Sequence, residues 1–231
     1  MKNNNEHFFL EQKELIDTLS SKIIANLEEA ILHKGSASLL VSGGSTPKPL
    51  FEKLSSVDIP WEKVKIALCD ERWIDKNHKD SNEKLVRDSL LVNFAKKAKF
   101  ISMYQEYINI EDAQDVCSNI YEKELFPFDV LILGMGNDGH TASLFPNNIK
   151  LKEALETTKG FCICMKPDTA PYERMSLTKT AILSATNIYL HFEGVEKQDV
   201  YKKVLEGASS NDMPVSAILN QDKKKIEVYY K

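Results

Sequence analysis

Apolar residues recur along this chain in two different patterns. Over residues 6–32 they are spaced three and four positions apart, which predicts an amphipathic helix with one packed face. Residues 130–133 instead form an uninterrupted apolar run, which is typical of a strand buried on both faces of a parallel sheet. Further apolar segments predict strands at residues 37–41, 64–69, 160–165, 187–191 and 225–230.

Helical patterns separate most of these predicted strands. They lie at residues 47–54, 82–94, 112–125 and 195–205, and a polar loop is expected before the strand at 187–191. Strands that alternate with helices predict an α/β fold with a mostly parallel sheet and helices on both faces. Because the chain has no linker-like segment, low-complexity run or internal repeat, residues 1–231 are expected to form a single domain.

Composition and charge exclude several classes of function. The net charge of −4 is opposite to the basic surplus of a nucleic-acid-binding protein. The polar start of the chain, residues 1–7, is not followed by the apolar core of a signal peptide, and no apolar run approaches the ~18 residues of a membrane span. Four cysteines without C-x-x-C spacing favour reduced thiols over zinc ligands or disulfides, so a cytoplasmic location is expected.

The first candidate site residues follow the strand at 37–41. Gly43 and Gly44 allow backbone N–H groups to approach an anion closely, and Ser45 and Thr46 add hydroxyl donors. Thr46 is a good N-cap and Pro47 suits a first helical position, so a helix N-terminus is expected there. The segment predicts a phosphate site, although an ordinary capped turn has the same composition. It matches neither the Walker A nor the dinucleotide-binding pattern.

Two further strand ends carry ionisable side chains. Asp70 and Arg72 follow the strand at 64–69, where a carboxylate and a guanidinium could bind sugar hydroxyls and phosphate or form a structural ion pair. Asp138 and His140 follow the apolar run at 130–133 and a glycine turn. A histidine next to a carboxylate can accept a proton from water without a metal, and no metal site is predicted. His191, within an apolar strand pattern, is expected to be structural.

Two cations complete the candidate set. Arg174 lies in a mixed polar and apolar segment, and Lys197 lies in the first turn of the helix predicted at 195–205. A lysine near a helix N-terminus opposes the helix dipole, which hints at an anionic partner, although solvated lysines are common.

Together these motifs resemble the 6-phosphogluconolactonase family. The matching segments are residues 42–47, 70–73, 81–82, 134–146, 174–178 and 194–197, with Pro214, in the family's order. The resemblance implies a Rossmann-like fold and hydrolysis of 6-phospho-D-glucono-1,5-lactone in the oxidative pentose phosphate pathway, without a metal or cofactor. It assigns His140 as the general base, and Gly43, Gly44, Ser45, Thr46, Arg174 and Lys197 to the phosphate.

For the remaining roles we expect Asp138 to hold the imidazole and Asp70 to contact hydroxyls. Arg72, or backbone N–H groups after Gly134, would stabilise the oxyanion. The expected partner is the sugar phosphate lactone alone, with no nucleic acid or membrane, and the protein is expected to be a monomer or a weak homo-oligomer.

Two other functions remain open. Glucosamine-6-phosphate deaminases are similar at the glycine loop and the Asp-Gly-His turn, but they carry a glutamate after the histidine, where residues 141–146 here contain no acid. They also typically have tyrosine at the position of Arg72. The second alternative is a sugar-phosphate-binding protein that has lost the chemistry.

Overall fold

The computed structural model describes residues 4–168 and 170–231, so the first three residues of the polar start lie outside the described residues. The strands are β1 (Asn4–Phe8), β2 (Ala37–Val41), β3 (Val64–Leu68), β4 (Asp70–Arg72), β5 (Lys99–Phe100), β6 (Val130–Leu133), β7 (Cys162–Met165), β8 (Arg174–Leu177), β9 (Asn187–Phe192) and β10 (Ile226–Tyr230). The α-helices are α1 (Gln12–Lys34), α2 (Lys48–Ser55), α3 (Asn82–Ser89), α4 (Ile110–Leu125), α5 (Leu151–Glu156), α6 (Lys179–Ser184), α7 (Val195–Leu205) and α8 (Ser216–Leu219).

The main sheet has seven strands in the order β1-β10-β9-β6-β2-β3-β5, and all neighbours are parallel. Alternate residues of β2 face opposite sides. Leu39 and Val41 belong to the core cluster that includes α1 and α2, whereas Leu40 belongs to the cluster that includes α4 and α7. The prediction of a mostly parallel sheet covered by helices on both faces is confirmed.

A second, three-stranded antiparallel sheet has the order β4-β8-β7. It was not predicted: β8 and α6 lie within the segment expected to be a polar loop. Apolar and polar residues alternate along β8, as in a strand with two different faces. Met175 and Leu177 belong to the hydrophobic core, whereas Arg174 and Ser176 lie on the opposite face of the strand. Arg174 pairs in register with Arg72 on one side and with Met165 on the other.

Two predicted helices have different bounds in the structure. The helix predicted at 6–32 begins only at Gln12, because residues 4–8 form an edge strand that pairs with β10. The helix predicted at 82–94 ends at Ser89, and a 3₁₀ turn follows at Asn93–Lys97. Asn93 has a φ of 48°, which an α-helix does not accommodate.

The carboxyl ends of β2, β6 and β9 lie side by side in the main sheet. The glycine loop at 43–46, the turn that carries His140 and the start of α7 therefore emerge at one edge, where α/β sheets bind ligands. Within residues 4–168 and 170–231, every helix is too short or too polar to cross a membrane.

Candidate active site

A cavity of about 310 Å³ lies at this edge of the sheet. It brings together residues from the three predicted strand ends, the small sheet and α7. The predicted site residues that line it are Gly43, Gly44, Ser45, Thr46, Asp70, Arg72, His140, Arg174 and Lys197. Asp138 adjoins the cavity through its contact with His140.

His140 and Asp138 form a hydrogen-bonded pair. Nδ1 of His140 lies 2.5 Å from Oδ1 of Asp138, and the backbone N–H of His140 donates to the same oxygen over 3.1 Å. Burial alone would raise the pKa of the Asp138 carboxyl, but the hydrogen bonds and charge of His140 lower it below its usual value. The imidazole also stacks on Phe145, with 4.6 Å between ring centroids. These two contacts fix the orientation of the ring and occupy its Nδ1 atom.

The turn that carries this pair is held by its own backbone. The N–H of Gly136 donates to the carbonyl of His140 over 2.9 Å, and the hydroxyl of Thr141 donates to the carbonyl of Gly134 over 2.8 Å. A Cβ at position 136 would overlap the His140 ring, whereas one at position 134 would meet nothing within 4 Å. Because the Gly136 N–H is already used, it is not one of the oxyanion donors expected after Gly134.

The glycine loop differs in one respect from the prediction. Helix α2 begins at Lys48, so Pro47 is its N-cap, and the prediction that Thr46 caps a helix starting at Pro47 is wrong. Lys48 and Pro49 are therefore the first two residues of the helix, and a proline in the first turn removes no helical hydrogen bond, because the N–H groups there have no intrahelical partner. The Thr46 hydroxyl is thereby released from capping and lies 3.5 Å from Nζ of Lys197.

The side chain of Asn82 packs directly against Gly43 of the glycine loop. A side chain at Gly43 would overlap the Asn82 amide, which also donates to the carbonyl of Asp70 over 2.8 Å. Asn82 is buried and lines the cavity. It stands in the matching segment 81–82, but no role was predicted for it.

Three cations line the cavity without an ion pair to any described carboxylate: Arg72, Arg174 and Lys197. The two arginines are anchored by main-chain carbonyls, Arg72 by that of Asp80 and Arg174 by that of Pro171. Burial lowers the pKa of both Lys197 and Arg174. The Nε atoms of the two arginines are buried and have no hydrogen-bond partner among the described residues. Such a group of desolvated cations favours an anionic ligand.

Asp70 is the acidic group of the cavity wall. It is 7% exposed, and Oδ2 accepts a hydrogen bond of 2.6 Å from the hydroxyl of Ser143. The backbone N–H of Ser143 in turn donates to Ser176 on β8. Ser143 was missed as a site residue, because nothing in the local sequence indicates a partner 73 positions away.

Ser42 and His191 are two buried polar residues that line the cavity. His191 is buried, as expected for a structural residue, but it also lines the cavity. Neither of its ring nitrogens makes a hydrogen bond to a described residue, although Nε2 lies 3.3 Å from Glu193 Oε1. The Ser42 hydroxyl is also buried without a partner among the described residues. The position of His191 near the carboxyl end of β9 is the signal that could have placed it here.

Comparison with known proteins shows which family this chain is similar to. Residues 10–228 match the family described as glucosamine-6-phosphate isomerases/6-phosphogluconolactonase. A 6-phosphogluconolactonase of Rhizobium meliloti is 37% identical over 98% of each chain, and one of Helicobacter pylori is 39% identical over 84% of this chain and 83% of its own. The crystal structure of a 6-phosphogluconolactonase from Shewanella baltica has a TM-score of 0.95 and 43% identity, covering 98% of this chain and 97% of the other.

The family model spans residues 10–228 and so includes every segment that carries the cavity. The fold, the order of the motifs and the identities agree with one another, so the resemblance seen in the sequence is confirmed. The chain belongs to the glucosamine-6-phosphate isomerase/6-phosphogluconolactonase family.

Proposed function

We propose that this protein hydrolyses 6-phospho-D-glucono-1,5-lactone to 6-phosphogluconate, the lactonase step of the oxidative pentose phosphate pathway. The observation that carries the proposal is the convergence of the His140–Asp138 pair, the 43–46 loop and Lys197 on one cavity. A candidate base and a candidate anion site that line one cavity suit a substrate that carries both an ester and a phosphate. The names of the full-length relatives support the same substrate.

In this proposal the 43–46 loop and the cations bind the phosphate. The loop offers backbone N–H groups and the hydroxyls of Ser45 and Thr46, and Lys197 approaches Thr46 from α7. Arg174 adds a guanidinium that has no carboxylate partner among the described residues. A phosphate dianion bound here would fix the sugar and place its C1 carbon near His140.

Hydrolysis then needs a base and a stabilised oxyanion. Nε2 of His140 takes a proton from water as the water oxygen bonds to C1, and Asp138 stabilises the imidazolium that forms. Arg72 faces the developing oxyanion, and Asp70 accepts hydrogen bonds from sugar hydroxyls. When the bond from C1 to the ring oxygen breaks, the imidazolium returns its proton to that oxygen, which becomes the 5-hydroxyl.

The deaminase alternative within the same family is less well supported. Residues 141–146, which follow the histidine, contain no carboxylate that could take the place of the deaminase glutamate. Ser143, within this segment, donates to Asp70 instead.

The test is the hydrolysis of freshly generated lactone, measured against its spontaneous opening. We expect fast turnover that a chelator does not affect, and a loss of about 10²–10⁴-fold in kcat for His140→Ala. His33→Ala, at the exposed end of α1, is the matched control and should keep full activity.

Each other result has a distinct meaning. Full turnover in His140→Ala would retain the activity and reject this base. Ammonia released from glucosamine 6-phosphate would establish the deaminase, and sugar phosphate binding without turnover of either substrate would indicate a binding protein.

A further inference from the structure

Lys150 and Cys164 form a close nitrogen–sulfur pair away from the candidate active site. Nζ of Lys150 lies 2.7 Å from Sγ of Cys164. Lys150 is the residue that precedes α5, and Cys164 lies in β7, so the pair joins two different elements. Neither residue lines the cavity that holds His140.

The distance is short for a hydrogen bond to sulfur. Ordinary N–H···O bonds are already about 2.9 Å long, and sulfur is a larger atom than oxygen. The nitrogen and the sulfur of this pair are therefore closer than an N–H···S hydrogen bond requires. Their separation suits two single bonds through one bridging atom.

The environment favours reaction at this cysteine over the other three. Burial raises the pKa of the thiols of Cys69, Cys117 and Cys162, which keeps them in the less reactive protonated form. At Cys164 the lysine nitrogen is in direct contact with the sulfur, and this contact raises the pKa of Lys150. The sulfur of Cys164 therefore has a second reactive group, the lysine nitrogen, in direct contact with it.

A small oxidant also has access to the pair. A second cavity of about 110 Å³ is lined by both residues, with Ile110, Ile149 and Met165 among its apolar walls. Ile149 is 93% exposed, so the cavity lies at the surface of the protein.

We propose that Lys150 and Cys164 are an oxidative modification site, at which hydrogen peroxide joins the two side chains through a single oxygen atom as an N–O–S bridge. In the first step the sulfur attacks peroxide, the O–O bond breaks, and the products are Cys164 sulfenic acid and water. The Lys150 ammonium then releases one proton to water, which leaves the neutral amine. In the second step a second peroxide takes one hydrogen from this amine and the sulfenic hydrogen, the peroxide O–O bond breaks to give two waters, and the N–O bond forms. The lysine, the thiol and two peroxides thus give the bridge and three waters.

The bridge would connect two segments that lead to the main cavity. Lys150 closely follows Phe145, which stacks on His140, and Cys164 precedes Met165, which pairs with Arg174 across β7 and β8. One hydrogen bond already connects the same segments, from the Asn148 amide to the carbonyl of Lys166 over 2.7 Å. A cross-link restricts the unfolded chain, so the oxidised protein should have a higher Tm than the reduced protein.

The experiment treats the intact full-length protein with hydrogen peroxide and measures intact mass and cross-linked peptides. We expect one oxygen gained and two hydrogens lost, a peptide link between Lys150 and Cys164, and reversal of both by dithiothreitol. Cys164→Ser and Lys150→Arg should each abolish the link, the latter while keeping the positive charge. Cys162→Ser and Lys152→Arg are the matched controls, which should retain it.

Several results would overturn the proposal. Oxygen addition at Cys164 without the lysine link would reduce the site to an oxidised cysteine, and loss of two hydrogens without added oxygen would mean a direct N–S bond. A link that persists in Lys150→Arg would place it elsewhere. Methionine sulfoxide in the same sample shows that the peroxide has acted, so an unmodified pair in that sample would also reject the bridge.

Discussion

Glycine at position 136 is the residue on which the placement of the candidate base depends. In Gly136→Ala the new Cβ would overlap Nδ1 and Cε1 of His140 and would lie 2.6 Å from Oδ1 of Asp138. Carbon atoms pack best at about 3.5–4.0 Å, so the ring and the carboxylate must both move. Because Asp138 and His140 are joined over only 2.5 Å, a shift of either group breaks the alignment of the pair.

The size of the effect follows from how far the ring must move. A displacement of about 1 Å at a reacting group can cost about 10²-fold in rate, which corresponds to about 2.7 kcal/mol of activation free energy. The upper limit is the complete loss of general-base catalysis, about 10⁴-fold. We therefore expect kcat of Gly136→Ala to fall by about 10²- to 10⁴-fold, with a much smaller change in KM because the 43–46 loop is not affected.

Gly134→Ala supplies the comparison, because a Cβ at that position meets no atom within 4 Å. The assay is the initial rate of hydrolysis of fresh lactone for both variants, with Tm measured to confirm that each is folded. Equal rates in two folded variants would refute the argument that Gly136 is required by the position of the His140 ring.

Three further predictions concern charge and stability. Asp138→Asn should lower kcat about tenfold, since a hydrogen bond to a neutral acceptor is about half as strong as one to a carboxylate; an unchanged kcat would remove Asp138 from the mechanism. Burial lowers the pKa of Lys197 below the ordinary lysine value of 10.5, so this side chain loses its positive charge at a lower pH than a free lysine. The affinity for 6-phosphogluconate, measured by calorimetry, should therefore weaken as the pH rises towards 10.5. Lys197→Met should abolish that pH dependence. Glu71 is fully buried and accepts four hydrogen bonds of 2.7–3.0 Å. Glu71→Ala should therefore lower the free energy of unfolding, measured with urea, by about 3 kcal/mol or more. The matched variant Glu62→Ala changes an exposed residue and should leave this free energy nearly unchanged.

The parts of the site that are local in sequence could be predicted from the sequence. Strand β6, its glycine turn and the pair Asp138 and His140 follow one another within eleven residues, so an apolar run and its polar end are enough to place them. The convergence with Lys197 was also predictable, because strands of a parallel sheet all end at the same edge.

The parts that depend on distant partners could not be predicted in this way. Strand β1 is a strand because β10, more than 200 residues away, supplies its hydrogen-bond partners, and this pairing overrides a helical pattern. Ser143 belongs to the site because of Asp70, and Thr46 faces Lys197 rather than capping α2. In each case the deciding contact lies between segments whose relation is set only by the complete fold.

The distribution of charge in the cavity indicates which residues would carry each part of the proposed reaction. Arg174 and Lys197 are cations whose pKa values burial lowers, so the protein without a ligand carries an electrostatic cost that a phosphate would relieve. That binding energy arises at the non-reacting end of the substrate, where it can be used to position the ester. A lactone is an activated ester, so the reacting end needs only a fixed base and an oxyanion donor. In the proposed function this anion site would suit either reaction of the family. The segment after His140 favours the lactonase, because Ser143 is hydrogen-bonded to Asp70 and residues 141–146 contain no acid.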